Sequence, residues 1–552
     1  MPSRSIFIYL FLIVLAVTAC KKVHNEPIQY PEQFFLKQVK VNNQEGDFSF
    51  HNVKSVDCRI SFSAPVDLAA AKSSILFTTA AGANLPTLIS AENSDSIIRI
   101  SSQTVLESLT RYKLAIGKNL LSKKQTLLNL EYDITIVSAI DSTNKFPAIT
   151  DDELLTLVQK QTFKYFWEFG HPVSGMARER NTSGEVVTSG GTGFGIMAIP
   201  VAIERKFISR SDGLTRLQTI ADFLKNKAGH YHGAFSHWMN GTSGAVVSFG
   251  KNDNGADLVE TSYLMMGLLT ARQYFNGSVA AETNLRNDIN ALWNAVEWDW
   301  FRKDGGNMLF WNWSPDAGFA VNVPVQGWNE CLITYVMAAS STTHSIPKIV
   351  YDNGFARNGA IKNGNSYYGI QLPLGQAFGG PLFFEHYSFL GINPNGLSDT
   401  YANYLTQAVN HSKINFEYCK ANPKKYFGYS KLCWGLTASD IQNGYSASSP
   451  TNDLGVIAPT AAISSMPFTP NESLQALKFF YYKLGDKIWS QYGFVDAFSL
   501  DNAWFAGSTL AIDQGPQIGM IENYRTGLLW NLFMSCPEVQ TGLTKLGFNY
   551  KL

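Results

Sequence analysis

The feature that most constrains this chain is a change of material near residue 150. All 12 Trp and 20 of the 24 Tyr lie beyond it. Before it, apolar and polar residues alternate, as in Asp57-Cys58-Arg59-Ile60-Ser61-Phe62-Ser63, Ser96-Ile97-Ile98-Arg99-Ile100 and Tyr132-Asp133-Ile134-Thr135-Ile136. A period of two, interrupted by Ser, Asn, Gly and Pro, specifies short strands with one buried face. After it, Asp151-Asp152-Glu153 opens a run with Leu154, Leu155, Leu157, Val158, Phe163 and Phe166 at helical spacing. Acidic residues there suit the positive end of a helix dipole. The chain therefore reads as two units joined near 141–150: a small β-sandwich over 31–142 and a mainly α domain over 150–552.

Further helices are expected near 212–228, 257–275, 283–300, 328–342, 398–421, 472–491 and 515–535. Several are apolar on almost every face, Leu258 through Leu269 being an example, and such a helix is buried on most sides. Buried helices paired with surface ones fit an α/α toroid, an inner ring inside an outer one; a long irregular bundle is the alternative. Gly190-Gly191-Thr192-Gly193-Phe194-Gly195 lacks a Lys and a preceding apolar strand, so it reads as a tight loop and not a phosphate cradle.

Charge narrows the function. The chain has 44 Lys+Arg against 44 Asp+Glu, a net charge of zero. Nucleic-acid binding needs clustered positive charge, which this balance does not supply. At 45% hydrophobic residues the chain is not disordered.

The N-terminus reads as an export signal over 1–20. Arg4 precedes a 12-residue apolar run, Ile6 to Val17, too short for a spanning helix of about 20 residues. Val17-Thr18-Ala19-Cys20 resembles a lipobox, which makes Cys20 the expected lipidation site and 21–30 a tether. The mature protein would then be an exported lipoprotein of the periplasm, outer membrane or cell surface, held by its lipid alone. Cys58, Cys331, Cys419, Cys433 and Cys536 remain, an odd number without metal-ligand spacing. A Cys419–Cys433 bridge is possible.

The densest chemical signal is Asn252-Asp253-Asn254-Gly255-Ala256-Asp257-Leu258-Val259-Glu260. On a helix, Asp253, Asp257 and Glu260 share one face, and the other faces are apolar, so the acids would point into a cavity. Crowded, buried acids have raised pKa values, as a general acid requires. The competing reading is an acidic helix start stabilised by the dipole. The second signal is Gly327-Trp328-Asn329-Glu330, an acid beside a ring at the mouth of another apolar helix. Sugar faces pack on aromatic faces, so Trp311, Trp313, Trp328, Phe383, Glu385, His386 and Trp504 are candidate substrate contacts. Asp513 precedes the last long helix and is either a cap or a pocket residue. His230, His232 and His237 have no spacing that suits a metal and read as polar loop residues.

These segments together resemble glycoside hydrolase family 144, the endo-β-1,2-glucanases with a glucoamylase-like domain. The resemblance covers roughly 151–545. It rests on Val173-Ser174-Gly175-Met176-Ala177-Arg178-Glu179-Arg180, Thr192-Gly193-Phe194-Gly195, Asp257 to Met265, Gly327 to Glu330, Pro381 to Phe384 with Tyr387-Ser388, and Ile512 to Pro516. It implies an (α/α)6 barrel without metal or cofactor that cleaves β-1,2-linked glucan with inversion. Carried over, Asp257, Glu260 and Glu330 are the acids to test first. Asp253, Asp513, Arg178 and Glu179 would line the cleft. The N-terminal unit resembles bacterial immunoglobulin-like modules through Ser61 to Asp67 and Arg111 to Ile116, and reads as a spacer.

Inversion needs two carboxyls roughly 6.5–9.5 Å apart, whereas neighbours one helical turn apart lie at about 5–6 Å. One acid of the 257–260 helix and one from elsewhere are therefore expected. Glu260 is assigned as the acid, with Glu330 as the second. The partner expected is β-1,2-glucan or its oligosaccharides, met by a monomer. The alternatives are an exo-acting or transglycosylating enzyme, or a non-catalytic glycan-binding lipoprotein.

Overall fold

The computed structural model describes residues 33–551. The expected signal, the tether and Cys20 lie outside the described residues.

The N-terminal unit is two sheets face to face. One carries, in order, Gln44–Glu45, Leu36–Val41, Asp57–Phe62, Ile97–Ser102 and Thr87–Glu92; the other carries Ser49–Val53, Tyr132–Ser138, Arg111–Ile116 and Ile75–Thr79. The alternation decides which side faces in. Cys58, Ile60 and Phe62 point inward onto Leu114, Ile134 and Ile136. Asp57, Arg59 and Arg99 point outward, where Arg99 Nε donates to Asp57 at 2.8 Å. A short helix, α1 (Leu68–Ser74), is capped by Asp67, which accepts from the Ala69 and Ala70 amides. The sandwich is docked on the helical part. Leu109 shares a core with Leu154, Leu155 and Val158, and His51 Nε2 lies 2.9 Å from the Asp501 carbonyl.

The second unit runs through α2 (Asp151–Trp167), α3 (Ser189–Glu204), α4 (Arg210–Asn226), α5 (Leu258–Tyr274), α6 (Ala280–Ala295), α7 (Leu332–Ser340), α8 (Lys348–Val350), α9 (Tyr404–Ala421), α10 (Pro459–Ser464), α11 (Pro470–Ile488), α12 (Ala511–Arg525), α13 (Leu528–Met534) and α14 (Pro537–Leu546). The acidic start of α2 is a full capping box: the Thr150 side chain accepts from Glu153 N–H, and Glu153 answers onto Thr150 N–H.

An inner ring is formed by helices buried on almost every face. α3 packs on α5, α5 on α7, α10 on α12, and α12 back on α3. Residues 382–390, short 3-10 turns, fill the gap between α7 and α10: Ile333 N–H donates to Ser388 Oγ, and His386 bonds Ser465. α2, α9, α11 and α14 lie outside this ring, against α3, 382–390, α10 and α7 respectively. Concentric layers are what the alternation of buried and surface helices requires.

One expectation is corrected here. The glycine run 190–195 is not a loop but the first turns of α3. Its glycines are there for contact, not for flexibility. A Cβ on Gly193 would stand 2.2 Å from the Tyr263 carbonyl oxygen, and one on Gly267 would stand 2.2 Å from the Gly193 oxygen. Missing side chains let α3 and α5 touch backbone to backbone, which outweighs the helix propensity lost, roughly 1 kcal/mol per glycine. The bridge Cys419–Cys433 does not form; both thiols are free and buried. Among the described residues no helix is long and apolar enough to cross a membrane.

Candidate active site

α5 starts at Leu258, so Asp253, Asp257 and Glu260 do not ride one helix face as expected; they converge by a different route. Asp257 is the N-cap. Its Oδ1 accepts the Glu260 amide at 2.9 Å, and its Oδ2 takes Trp311 Nε1 at 3.2 Å and faces His237 Nδ1 at 3.0 Å. The strand Asn312–Trp313 pairs with Ala256–Asp257, which brings Asn312 Nδ2 to Asp253 at 3.1 Å. Glu260, three residues after the cap, is buried. Its Oε2 accepts the Gly190 amide at 2.8 Å and the Thr188 hydroxyl at 3.4 Å. A Cβ on Gly190 would sit 2.4 Å from that oxygen, so the glycine run of α3 also admits this carboxylate. Burial pushes Glu260 above the usual carboxyl range, against the pull of His237. Asp253 is raised by burial and by Asp257.

His237 is the residue that sequence reasoning missed. Burial disfavours its charged form, but Glu260 and the hydrogen bond to Asp257 more than reverse this and raise it to about 9. It is the counter-cation of this wall, and Phe249 stacks on its ring at 4.1 Å. Nothing in its spacing could have shown this, because the acids that charge it, Asp257 and Glu260, lie 20 and 23 residues downstream.

Glu330 sits in the turn before α7, not inside the helix. Ser388 Oγ donates to its main-chain carbonyl at 2.5 Å, which holds the turn while leaving the carboxyl outside the hydrogen-bond network that ties Asp257 and Glu260. Burial raises it to about 7; its own amide opposes the shift, and the negative fields of Glu260 and Asp257 add to it. Trp328, two residues earlier, lines a cavity of about 350 Å³ with Gln326, Asn329, Gln376 and Phe384.

A second acid group lies at the start of α12. Asp513 accepts from Tyr387 OH at 3.4 Å and is in hydrogen-bond contact with Asp496, and both are raised, first by burial. One oxygen of each, Asp513 Oδ2 and Asp496 Oδ1, is buried without a protein donor. Two carboxyls in contact under those conditions share a proton. Asp496 Oδ2 accepts the Asp440 amide at 2.6 Å, and Asp440 pairs with Arg180 Nη1 at 3.1 Å. Arg180 in turn holds Glu179, at 2.9 Å. Arg180, Asp440, Tyr445 and Trp504 line a cavity of about 550 Å³. Tyr387 links the two groups, since its hydroxyl feels Asp513, Glu330 and Glu260 together.

Several expected substrate contacts lie elsewhere. Arg178 spends its guanidinium on the Gly184 and Phe169 carbonyls at 2.8 and 2.7 Å, because those carbonyls end in the loop it closes; the arginine at the cleft is Arg180. Glu385 and His386 are inside the wall, fully buried, with His386 bonded to Ser465 Oγ at 3.0 Å and lowered to about 3 by burial and by His411. Trp313 stands in an aromatic group with Tyr231, His232 and Trp300. Trp311 and Phe383 stay half-buried by the acids and by Tyr387.

Comparison with known proteins places this geometry. Residues 322–537 match the Glycoamylase family model. The endo-β-1,2-glucanase of Chitinophaga pinensis, solved with sophorotriose and glucose, is 52% identical over 73% of this chain and 99% of that one, with a TM-score of 0.71. The chain belongs to glycoside hydrolase family 144. A β-1,2-glucanase of Parabacteroides distasonis is 37% identical over 93% of this chain and 72% of its own, at TM-score 0.71. A curated exo β-1,2-glucooligosaccharide sophorohydrolase of the same species is 44% identical over 76% of this chain. This chain spans 60% of that relative's length. An endo-β-1,2-glucanase of Talaromyces funiculosus, 10% identical at TM-score 0.54, shares the fold alone.

Proposed function

We propose that this chain hydrolyses β-1,2-glucan with inversion, in endo fashion to short oligosaccharides, in an (α/α)6 barrel. The observation that carries the mechanism is Glu330: a carboxyl raised to about 7 by burial and by the nearby charges of Glu260 and Asp257. A general acid works best with a pKa near the operating pH, so the proton donor is Glu330 and not Glu260. The carboxyl of Glu260 is bound by the Gly190 amide and the Thr188 hydroxyl, and that of Asp257 by three partners. Those two acids shape the field around Glu330.

The base comes from the opposite wall. Along the inner ring, α3, α5, α7, 382–390, α10 and α12, the starts of α7 and α12 stand half a turn of the ring apart. That spacing supports a pair wide enough for a water between the carboxyls, as inversion requires. The Asp513–Asp496 pair is then the base side, with one proton held between the two carboxyls and one negative charge left to take a proton from water. Arg180, Glu179 and Trp504 would meet the sugars flanking the scissile bond. Export, a lipid on Cys20 and a spacer role for the immunoglobulin-like sandwich complete the proposal.

Incubation with linear β-1,2-glucan, beside β-1,3- and α-1,4-glucans, with product sizes followed over time, tests it. The expected outcome is rapid shortening of the β-1,2-glucan alone. Steady release of one disaccharide from chain ends identifies the exo mode, which the Parabacteroides distasonis sophorohydrolase supports. Binding without new reducing ends contradicts the enzyme reading.

A further inference from the structure

Behind Trp328, away from the acids, lies a buried ion pair that the reaction above does not use. Glu385 Oε1 is the acceptor for three nitrogens: Trp328 Nε1 at 2.8 Å, Gln407 Nε2 at 2.9 Å and His411 Nδ1 at 2.8 Å. The other ring nitrogen, His411 Nε2, lies 3.0 Å from the Gly380 carbonyl. A carbonyl only accepts, so Nε2 carries a hydrogen; Nδ1 carries the one directed at the carboxylate. Glu385 and His411 have no solvent exposure. Gln407 is fixed in turn, its own oxygen accepting the Leu374 amide at 2.8 Å. The backbone is fitted to the pair as well. Gly379 has φ +96°, and a Cβ there would stand 2.1 Å from His411 Cδ2.

An isolated buried charge pair is an expensive way to hold a wall together, and apolar residues would do it as well. What an apolar wall lacks is an acceptor for the Trp328 indole. Trp328 belongs to the four-residue turn that presents Glu330, and the same 382–390 segment grips that turn a second time through Ser388 and the Glu330 carbonyl. These two anchors of the acid's turn come from one segment, beside the Gly327 amide on the Phe355 carbonyl at 2.9 Å, and α9, through Gln407 and His411, fixes that segment from behind.

We propose that His411 and Glu385 are positioning residues for Glu330, acting through the Trp328 indole. The proposal rests on Glu330 being the proton donor. Its signature is a loss that depends on the leaving group. A sugar leaving group needs the proton, whereas the phenolate of a nitrophenyl β-sophoroside leaves without it.

The experiment compares turnover of linear β-1,2-glucan and of the nitrophenyl glycoside by the full chain and by His411→Gln, Trp328→Phe and Glu330→Gln. The ratio of the two activities within one preparation cancels any change in folded fraction. Expected for His411→Gln and Trp328→Phe is a 10- to 100-fold loss on glucan with less than a threefold loss on the aryl glycoside. Glu330→Gln shows the same selectivity, more strongly. Equal losses on both substrates for His411→Gln and Trp328→Phe, with Glu330→Gln still selective, overturn the positioning role. Equal losses for Glu330→Gln remove the acid assignment instead, and the proposal with it.

Discussion

At the start of α5, Asp257 holds three hydrogen-bond partners and Glu260 two, and the His237 cation stands against both. At the start of α12, Asp513 and Asp496 each keep a buried oxygen without a donor and meet each other instead. Both walls bury acids; one neutralises them with a counter-charge, the other with a shared proton. The difference teaches that clustered carboxylates are not equivalent candidates. A carboxylate bound by donors is committed to structure, as an N-cap is, while one that retains its proton can still exchange it. Glu330, in the turn before α7, is of the second kind.

The largest effect expected is for Glu330→Gln. General acid catalysis contributes about 10²–10⁴-fold, and turnover of glucan should fall by that factor with the fold retained. In the unmodified protein the rate should decline as pH rises through about 7, where Glu330 loses its proton. A rate flat to pH 9 would move the acid elsewhere. Next, Asp513→Asn should cost at least about a hundredfold on natural and aryl substrates alike, since a base serves both. Loss confined to glucan would place Asp513 on the acid side and erase the contrast between walls.

Smaller effects sharpen how each wall is held. His237 is raised in the folded state, so its stabilisation is full below pH 6.5 and fades as pH climbs through about 9. His237→Gln should therefore cost up to about 3 kcal/mol near pH 6 and little at pH 10, as denaturant titration would register. Asp496 has the opposite consequence. Its raised value means the folded state holds a proton that the unfolded state releases above about pH 4, so stability drains as pH rises. Asp496→Asn should flatten that decline and melt a few degrees higher than the parent at pH 8. A variant that melts lower at pH 8 would show that no proton is shared there.

The sequence showed the two-unit division because each unit has its own periodicity, and helices such as α2, α5 and α9 carried theirs plainly. It failed at α3, where glycine composition argues for a loop and only the approach of Tyr263 and Leu264 explains a helix. The acids Asp257, Glu260 and Glu330 were visible as clusters with aromatic neighbours. Their ranking was not, because it depends on partners brought in from afar: Gly190 for Glu260, Trp311 and His237 for Asp257. Arg178 was expected at the cleft, where Arg180 stands instead. The fold sends one to main-chain carbonyls and the other to Asp440. Asp496 had no local signal, since its meaning comes from Asp513, 17 positions later and on another element.

The central claim is that Glu330 donates the proton in hydrolysis of β-1,2-glucan. It is tested most directly by measuring new reducing ends from linear β-1,2-glucan for the full chain and for Glu330→Gln, across pH 5 to 9. The account predicts cleavage that declines above pH 7 in the parent and a loss of at least about a hundredfold in the variant. A variant within tenfold of the parent, with the same pH profile, would contradict it.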